Sequence, residues 1–297
     1  MIENKSAISR IRVAVIYIFV VALGFLCLFP LWNVVCISFS SSSAVAGNRV
    51  SILPVDFTLA AYKMILEDAQ FWRSFLISVV RVVLSLCINM VMIVLMAYPL
   101  SRTKYEFKAR NIYMGLLIFA MLFSGGMIPS YLVIRKLNLL NTIWSLVLPG
   151  AVPIFNVIMT MNFFIGIPKA LEEAAILDGA TPLQILLDIF IPCSKPVLAT
   201  VALFSIVGNW NDFFSGLIYI TKMSQYPIMT YIQTLTVDLR ELVDSGASSE
   251  QMATMIEVSG QNLNAAKIIV TVIPLLLIYP FLQKYLITGI TMGAVKE

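Results

Sequence analysis

The chain has 297 residues, 60% of them hydrophobic and 12% charged, and its mean hydropathy of +0.92 marks more apolar surface than one soluble core can hold. The net charge of +4 is spread thinly, with no basic block or arginine stripe, which excludes a nucleic-acid surface. With no histidine, the commonest metal ligand and near-neutral proton carrier is missing; Cys27, Cys36, Cys87 and Cys193 form no CxxC pair and read as small buried hydrophobes rather than zinc ligands or disulfide partners.

Six apolar runs reach the roughly 20 residues that a membrane span requires. The first, Val13–Ile37, is too long for a cleaved leader and has no small-residue cleavage site, so it reads as a retained span. An outer segment, 38–70, follows it. The second run, Phe75–Leu100, holds Arg81 near its outer end, where snorkelling or pairing with a neighbouring acid would accommodate the charge. The short loop 101–110 then carries Arg102, Lys104, Lys108 and Arg110. Basic loops stay on the cytoplasmic side, so this loop sets both termini inside. The third, fourth, fifth and sixth runs are Ile112–Val133, Ile143–Ile165, Pro196–Ile220 and Ala265–Ile287. A second long outer segment, 221–264, bears Asp238, Arg240, Glu241, Asp244, Glu250 and Glu257.

In hydrocarbon every backbone group must bond within its own segment, so each run is expected to be a helix, with kinks or ends at Pro30, Pro129, Pro274 and Pro280. The expectation is an all-α polytopic membrane protein of six transmembrane helices. Its parts are an N-terminal segment 1–72 with the first span, a five-span core 73–287 containing an inner loop 167–195, and a C-terminal tail 288–297.

The inner segment Ile167–Pro196 reads as two short helices with a sharp corner. Pro168 suits a first helical position, and Glu172 and Glu173 fall near the positive helix end. Leu171, Ala174, Ala175 and Asp178 share a face, and Gly179 fits the left-handed position that stops a helix. Thr181, Pro182 and Gln184 then spell a capping box, with Leu183, Leu186, Leu187 and Phe190 as the expected apolar stripe. Such a helix can lie in the membrane interface, fit under its own bundle, or enter a partner's groove. Small Ala174 and Ala175 beside Glu173 and Asp178 tilt the choice toward a partner.

Downstream, Trp210, Asn211 and Asp212 join an aromatic ring to amide and carboxyl groups within a span. The ring could cover an apolar sugar face while the polar groups take hydroxyl hydrogen bonds. Equally, Asn commonly bonds helix to helix, and for Asp212 that structural role is favoured.

Glu173-Ala174-Ala175, Asp178-Gly179-Ala180 and Ile189-Phe190-Ile191-Pro192 together resemble the EAA signature of binding-protein-dependent ATP-binding-cassette (ABC) permeases, with Ile191 in place of the usual leucine. Ala97-Tyr98-Pro99-Leu100-Ser101-Arg102, Trp210-Asn211-Asp212-Phe213-Phe214 and Gly289-Ile290-Thr291-Met292-Gly293-Ala294-Val295-Lys296 are similar to the carbohydrate-importer branch, and Phe123-Ser124-Gly125-Gly126-Met127-Ile128-Pro129 to a subgroup of oligosaccharide permeases. The resemblance implies a type I ABC importer permease fold in the bacterial plasma membrane, with a cytoplasmic coupling helix. Glu172, Glu173, Ala174, Ala175, Asp178, Gly179 and Ala180 would dock a cytoplasmic ATPase. Two ATP-binding subunits holding ATP and Mg, a homologous second permease, an extracytoplasmic solute-binding protein, membrane lipid and a carbohydrate substrate complete the implied set of partners.

No GxxxxGK[ST] stretch occurs in the chain, so nucleotide chemistry would belong to the partners, and neither a cofactor, a metal nor a catalytic residue is expected on this chain. A permease for a non-sugar solute is the alternative within the family. An ion-coupled secondary transporter would show several intramembrane acids and often an inverted repeat. A membrane enzyme would need a cluster of chemistry-bearing groups, and adjacent Glu172 and Glu173 point about 100° apart on a helix.

Overall fold

The computed structural model describes the backbone of residues 7–235 and 260–294, with side chains over 12–235 and 260–280, and every regular element among them is helical. The acidic residues Asp238 to Glu257 of the second outer segment lie outside the described residues, as do the side chains of the tail motif 289–296. Two compact units are distinguished, one of Met1–Ala69 with Thr234–Val272, the other of Gln70–Gln233 with Ile273–Glu297.

In the first unit, α1 (Ala7–Ser38) is apolar around its whole circumference: residues 12–32 are all exposed. The chain then folds back along its end. Trp32 Nε1 donates to the Ile52 carbonyl at 2.7 Å and Asn33 Nδ2 to that of Ser51 at 2.8 Å. Phe39 stacks on Phe57 and Tyr62. Ser41 caps α2 (Ser42–Ala46), and α3 (Ala60–Glu67) leads to Asp68, whose carboxylate accepts from Lys267 Nζ at 2.6 Å. Residues 38–70 therefore form a folded piece.

The second unit opens with α4 (Ala69–Leu100). Its buried residues, Phe71, Ser74, Ser78, Arg81, Ser85, Asn89, Ile93, Ala97 and Leu100, recur every three or four positions and so form one continuous face. The face is polar in the middle and apolar towards Leu100. Asn89 lies 2.9 Å from the Ser205 hydroxyl, and Ser78 Oγ accepts from the Ile228 amide at 2.8 Å.

The remaining runs are not straight. α5 (Arg110–Leu122) and α6 (Met127–Lys136) meet at 114° across Phe123–Gly126, where Gly126 takes φ +87°, ψ 178°, a conformation reserved for glycine. A 3-10 turn, Leu148–Gly150, separates α7 (Ile143–Val147) from α8 (Ile154–Ile165), with a 44° bend. Among the described residues three helices are long and apolar enough to cross a membrane by themselves, and up to six spans are counted if each bent pair is one, the third pair being Pro182–Cys193 and Lys195–Asn211 at 82°. The expected runs Ile112–Val133, Ile143–Ile165 and Pro196–Ile220 are each interrupted, and in the first the bend lies ahead of the kink or end expected at Pro129. Gly125-Gly126 and Pro149 break two of them; Asp212 breaks the third, where its side chain starts a new helix.

The inner segment forms α9 (Lys169–Leu177), α10 (Pro182–Ile185), a π-helical turn (Leu186–Phe190) and α11 (Ile191–Cys193). It is followed by α12 (Lys195–Asn211), α13 (Phe214–Tyr219), a helical stretch at 228–235, and α14 (Gln261–Ala294), which contains Pro274 and Pro280. One core cluster joins α4 (Ile93, Ala97), α5 (Leu117), α8 (Val157, Met161, Phe164) and α12 (Val197, Val201) with Ile185, Leu186 and Phe190 of the inner segment. Within a membrane such side chains hold helix to helix by close packing rather than by leaving water. Of the four cysteines, expected to be small buried hydrophobes, only Cys36 is buried; Cys27, Cys87 and Cys193 are exposed.

Candidate functional site

The corner between α9 and α10 is built from local rules. Asp178 caps α9, and Gly179 stands at φ +81°. The Gly179 amide donates to the Ile176 carbonyl at 3.0 Å and the Ala180 amide to that of Ala175 at 2.9 Å, the paired bonds of a Schellman stop. Thr181 follows at once as the next cap: its amide donates to Gln184 Oε1 at 2.8 Å, and its hydroxyl accepts from the Gln184 amide at 3.4 Å. Two reciprocal devices back to back leave no slack in the turn. Pro168 stands one position before the expected one, as the cap of α9, with ψ 127°.

The apolar stripe of the second helix also differs from expectation. Ile185, Leu186 and Phe190 are buried, while Leu183 and Leu187 are exposed. Leu186 and Phe190 of the expected stripe are thus kept, and Ile185 takes the inward place of Leu183 and Leu187 at the start of a π-helical turn over Leu186–Phe190.

The seven residues expected to dock an ATPase separate into two groups. Glu173, Ala174, Asp178 and Gly179 are exposed, together with Ile176 and Leu177. Ala175 and Ala180 rest against the core cluster, so their small size serves close approach to the chain's own bundle. Glu172 also turns inward and is bonded by Arg102 Nη1. The Arg102 guanidinium lies 4.3 Å from the Tyr98 ring centre and 4.6 Å from that of Phe190. Its Nε and Nη2 find no oxygen acceptor among the described residues; ring faces stand where acceptors would be.

The loop that carries Arg102 is itself fixed. Ser101 Oγ donates to the Tyr98 carbonyl at 2.7 Å, and Arg110 Nε to that of Leu100 at 2.8 Å. Glu106 accepts from the Thr103 amide at 2.7 Å. That amide, then the Thr103 hydroxyl, hold the Glu106 carboxyl below its ordinary value against a small opposing effect of burial, with Arg102 and Lys169 adding to the depression.

In the spans, Arg81 is 2% exposed and pairs with Asp212, the second of the two outcomes open to it. Arg81 Nη2 donates to Asp212 Oδ2 at 2.5 Å, and Nη1 to the Asp212 carbonyl at 2.9 Å, a backbone group freed by the end of α12. Asp212 Oδ1 in turn accepts from the Ser215 amide at 3.1 Å and starts α13. Trp210 is 5% exposed and meets the Phe75 ring edge-on at 5.5 Å; Asn211 beside it is exposed. Sequence reasoning found Arg81 and Asp212 separately but not as a pair, since 131 residues separate them.

Broken apolar helices joined to a loop with an exposed, glycine-turned corner are the features the comparisons with known proteins must account for. The chain belongs to the family of binding-protein-dependent transport system inner membrane components, which matches residues 75–292. It is 39% identical over 279 residues to Protein LplC of Bacillus subtilis, covering 94% of this chain and 92% of that one. To the polygalacturonan/rhamnogalacturonan transport system permease protein YtcP of the same organism it is 36% identical, covering 97% and 99%. The fold is similar to a chain in the crystal structure of a bacterial ABC transporter involved in import of the acidic polysaccharide alginate, with TM-score 0.83, 31% identity and coverage of 95% and 98%. The protein is therefore an ABC importer permease, a transport component rather than an enzyme, that works with an ATPase and a substrate-binding protein in the membrane.

Proposed function

We propose that this permease carries a carbohydrate, an oligosaccharide, across the bacterial plasma membrane. It does so as one of two homologous permeases above two ATP-binding subunits that hold ATP and Mg, and takes its cargo from an extracytoplasmic solute-binding protein. Both termini and the glycine corner face the cytoplasm. The substrate class is supported by the transport systems named for its relatives. The orientation is supported by the four basic residues of loop 101–110.

The single observation that carries the docking reading is the corner. Glu173, Ala174, Asp178 and Gly179 are exposed on a turn fixed from both sides by reciprocal hydrogen bonds. Glu172 and Ala175 hold α9 from behind, and Ala180 the turn that follows it. A surface so backed can take a push from a nucleotide-driven partner without deforming. In the pathway, exposed Asn211 would meet the sugar, with Trp210 and Asp212 fixing the backbone that presents it.

The test uses the complete transporter in proteoliposomes. Glu173→Ala and Gly179→Leu should insert normally into the membrane yet lower solute uptake per ATP hydrolysed at least about tenfold, the equivalent of about 1.4 kcal/mol of lost coupling. Normal transport by both variants refutes the docking.

A further inference from the structure

We propose that Arg102 is a positioning residue that clamps the coupling corner to the end of α4, so that a displacement of the corner moves that span with it. This rests on the docking reading above and adds to it the route by which movement enters the bundle. Four elements converge on one guanidinium. Tyr98 comes from the last turn of α4, Arg102 from the residues just beyond it, Glu172 from the first turn of α9, and Phe190 from the π-helical turn. The cation lies against both rings and bonds the carboxylate. Tyr98 and Phe190 also meet each other edge-on at 5.2 Å, and Phe190 meets Phe164 of α8 at 5.3 Å.

The arrangement suits a rigid link better than simple filling. A planar guanidinium fixes direction through the faces it stacks on and the fork it presents, which a compact ammonium on a flexible stem does not. Arg102 cannot swing away with the loop, because Ser101 and Arg110 are bonded back to the carbonyls of Tyr98 and Leu100. Its side chain is 13% exposed and that of Glu172 21%, so water competes little for the pair. Phe190 is 3% exposed and enters from the π-helical turn. The π-helical turn, the acidic first turn of α9 and the basic residue after α4 thus act on one point.

The experiment follows the separation between two spin labels in the complete transporter, with ATP, Mg and vanadate as the only probes. One label is on Tyr105→Cys, a position 95% exposed in the loop after α4, the other on native Cys193 of the inner segment; Cys27, Cys36 and Cys87 are replaced by alanine. With Arg102 present, the separation should be the same, within about 2 Å, in the nucleotide-free and vanadate-trapped complexes. In Arg102→Met it should change by about 5 Å on trapping, on the scale of one helical turn. Glu172→Gln, which keeps the shape and removes the charge, should behave like Arg102→Met and serves if the latter does not assemble. A change of that size with Arg102 present overturns the clamp, as does an unchanged separation in the assembled variants. Failure of the ATPase to co-purify with the unsubstituted permease is a different result, and removes the docking reading itself.

Discussion

Single residues here do work out of proportion to their number. Gly179 has open space around the position a Cβ would take, so Gly179→Ala meets no atom and is opposed only by its backbone angle, φ +81°. The left-handed conformation costs an ordinary residue roughly 1–2 kcal/mol. Gly179→Ala should therefore destabilise the corner by about that much, read as faster amide exchange at Ala180 and Thr181, while the spans remain unaffected.

Arg81 presents the opposite case. Replacement by leucine takes the Arg81 donor from Asp212 Oδ2 and from the Asp212 carbonyl, and loss of one member of a buried ion pair typically costs about 3–5 kcal/mol. Arg81→Leu should lower the thermal midpoint of the purified complex much more than the double replacement with Asp212→Asn does. Equal losses would show that the pair is not coupled.

Glu106 gives a pH test. Its carboxyl is depressed in the folded loop, so its contribution is fully present above the ordinary glutamate value and is lost as pH falls through the depressed one. Amide exchange at Thr103, corrected for its intrinsic rate, should accelerate on entering that acid range, and Glu106→Gln should abolish the transition.

At the level of elements, what could be read in advance followed chemistry rather than periodicity. The corner was legible residue by residue, because Gly179, Thr181, Pro182 and Gln184 each have few other uses in that order. The π-helical turn was not, since Leu-Leu-Asp-Ile-Phe satisfies an α or a π register equally well and only the depth of the neighbouring core decides. The breaks at Gly126 and Asp212 sat in plain view, but averaging hydropathy over a run smooths out the few polar or small residues that interrupt it. Phe190 is the element-scale test. As a 3% exposed side chain shared by the corner and the bundle, Phe190→Ala should cost about 3–5 kcal/mol and loosen α10 and α11 before any span, seen as exchange confined to 182–193 at moderate denaturant.

For the whole molecule, the apolar runs made the helical architecture legible, and the family match to residues 75–292 covers five of them. Long-range partnerships were not legible, because a hydropathy pattern carries no information on which helix meets which. Topology has a direct measurement. Tyr105→Cys, in a background without the four native cysteines, should resist a membrane-impermeant maleimide in intact cells and react fully in inside-out vesicles; the reverse would invert every cytoplasmic assignment above.

One helix stands apart from this web of specific contacts. α1 has no privileged side: from residue 12 to residue 32 every position looks outward onto whatever surrounds the chain. Along 12–32 no described side chain is buried, so Leu, Val, Ile and Phe are interchangeable there provided the stretch Arg12–Ser38 keeps its 27-residue reach, while Trp32, Asn33 and Cys36 anchor its far end. Among relatives this segment should drift fast in spelling and hardly at all in length, the reverse of the corner, where spelling is held and every insertion would be felt.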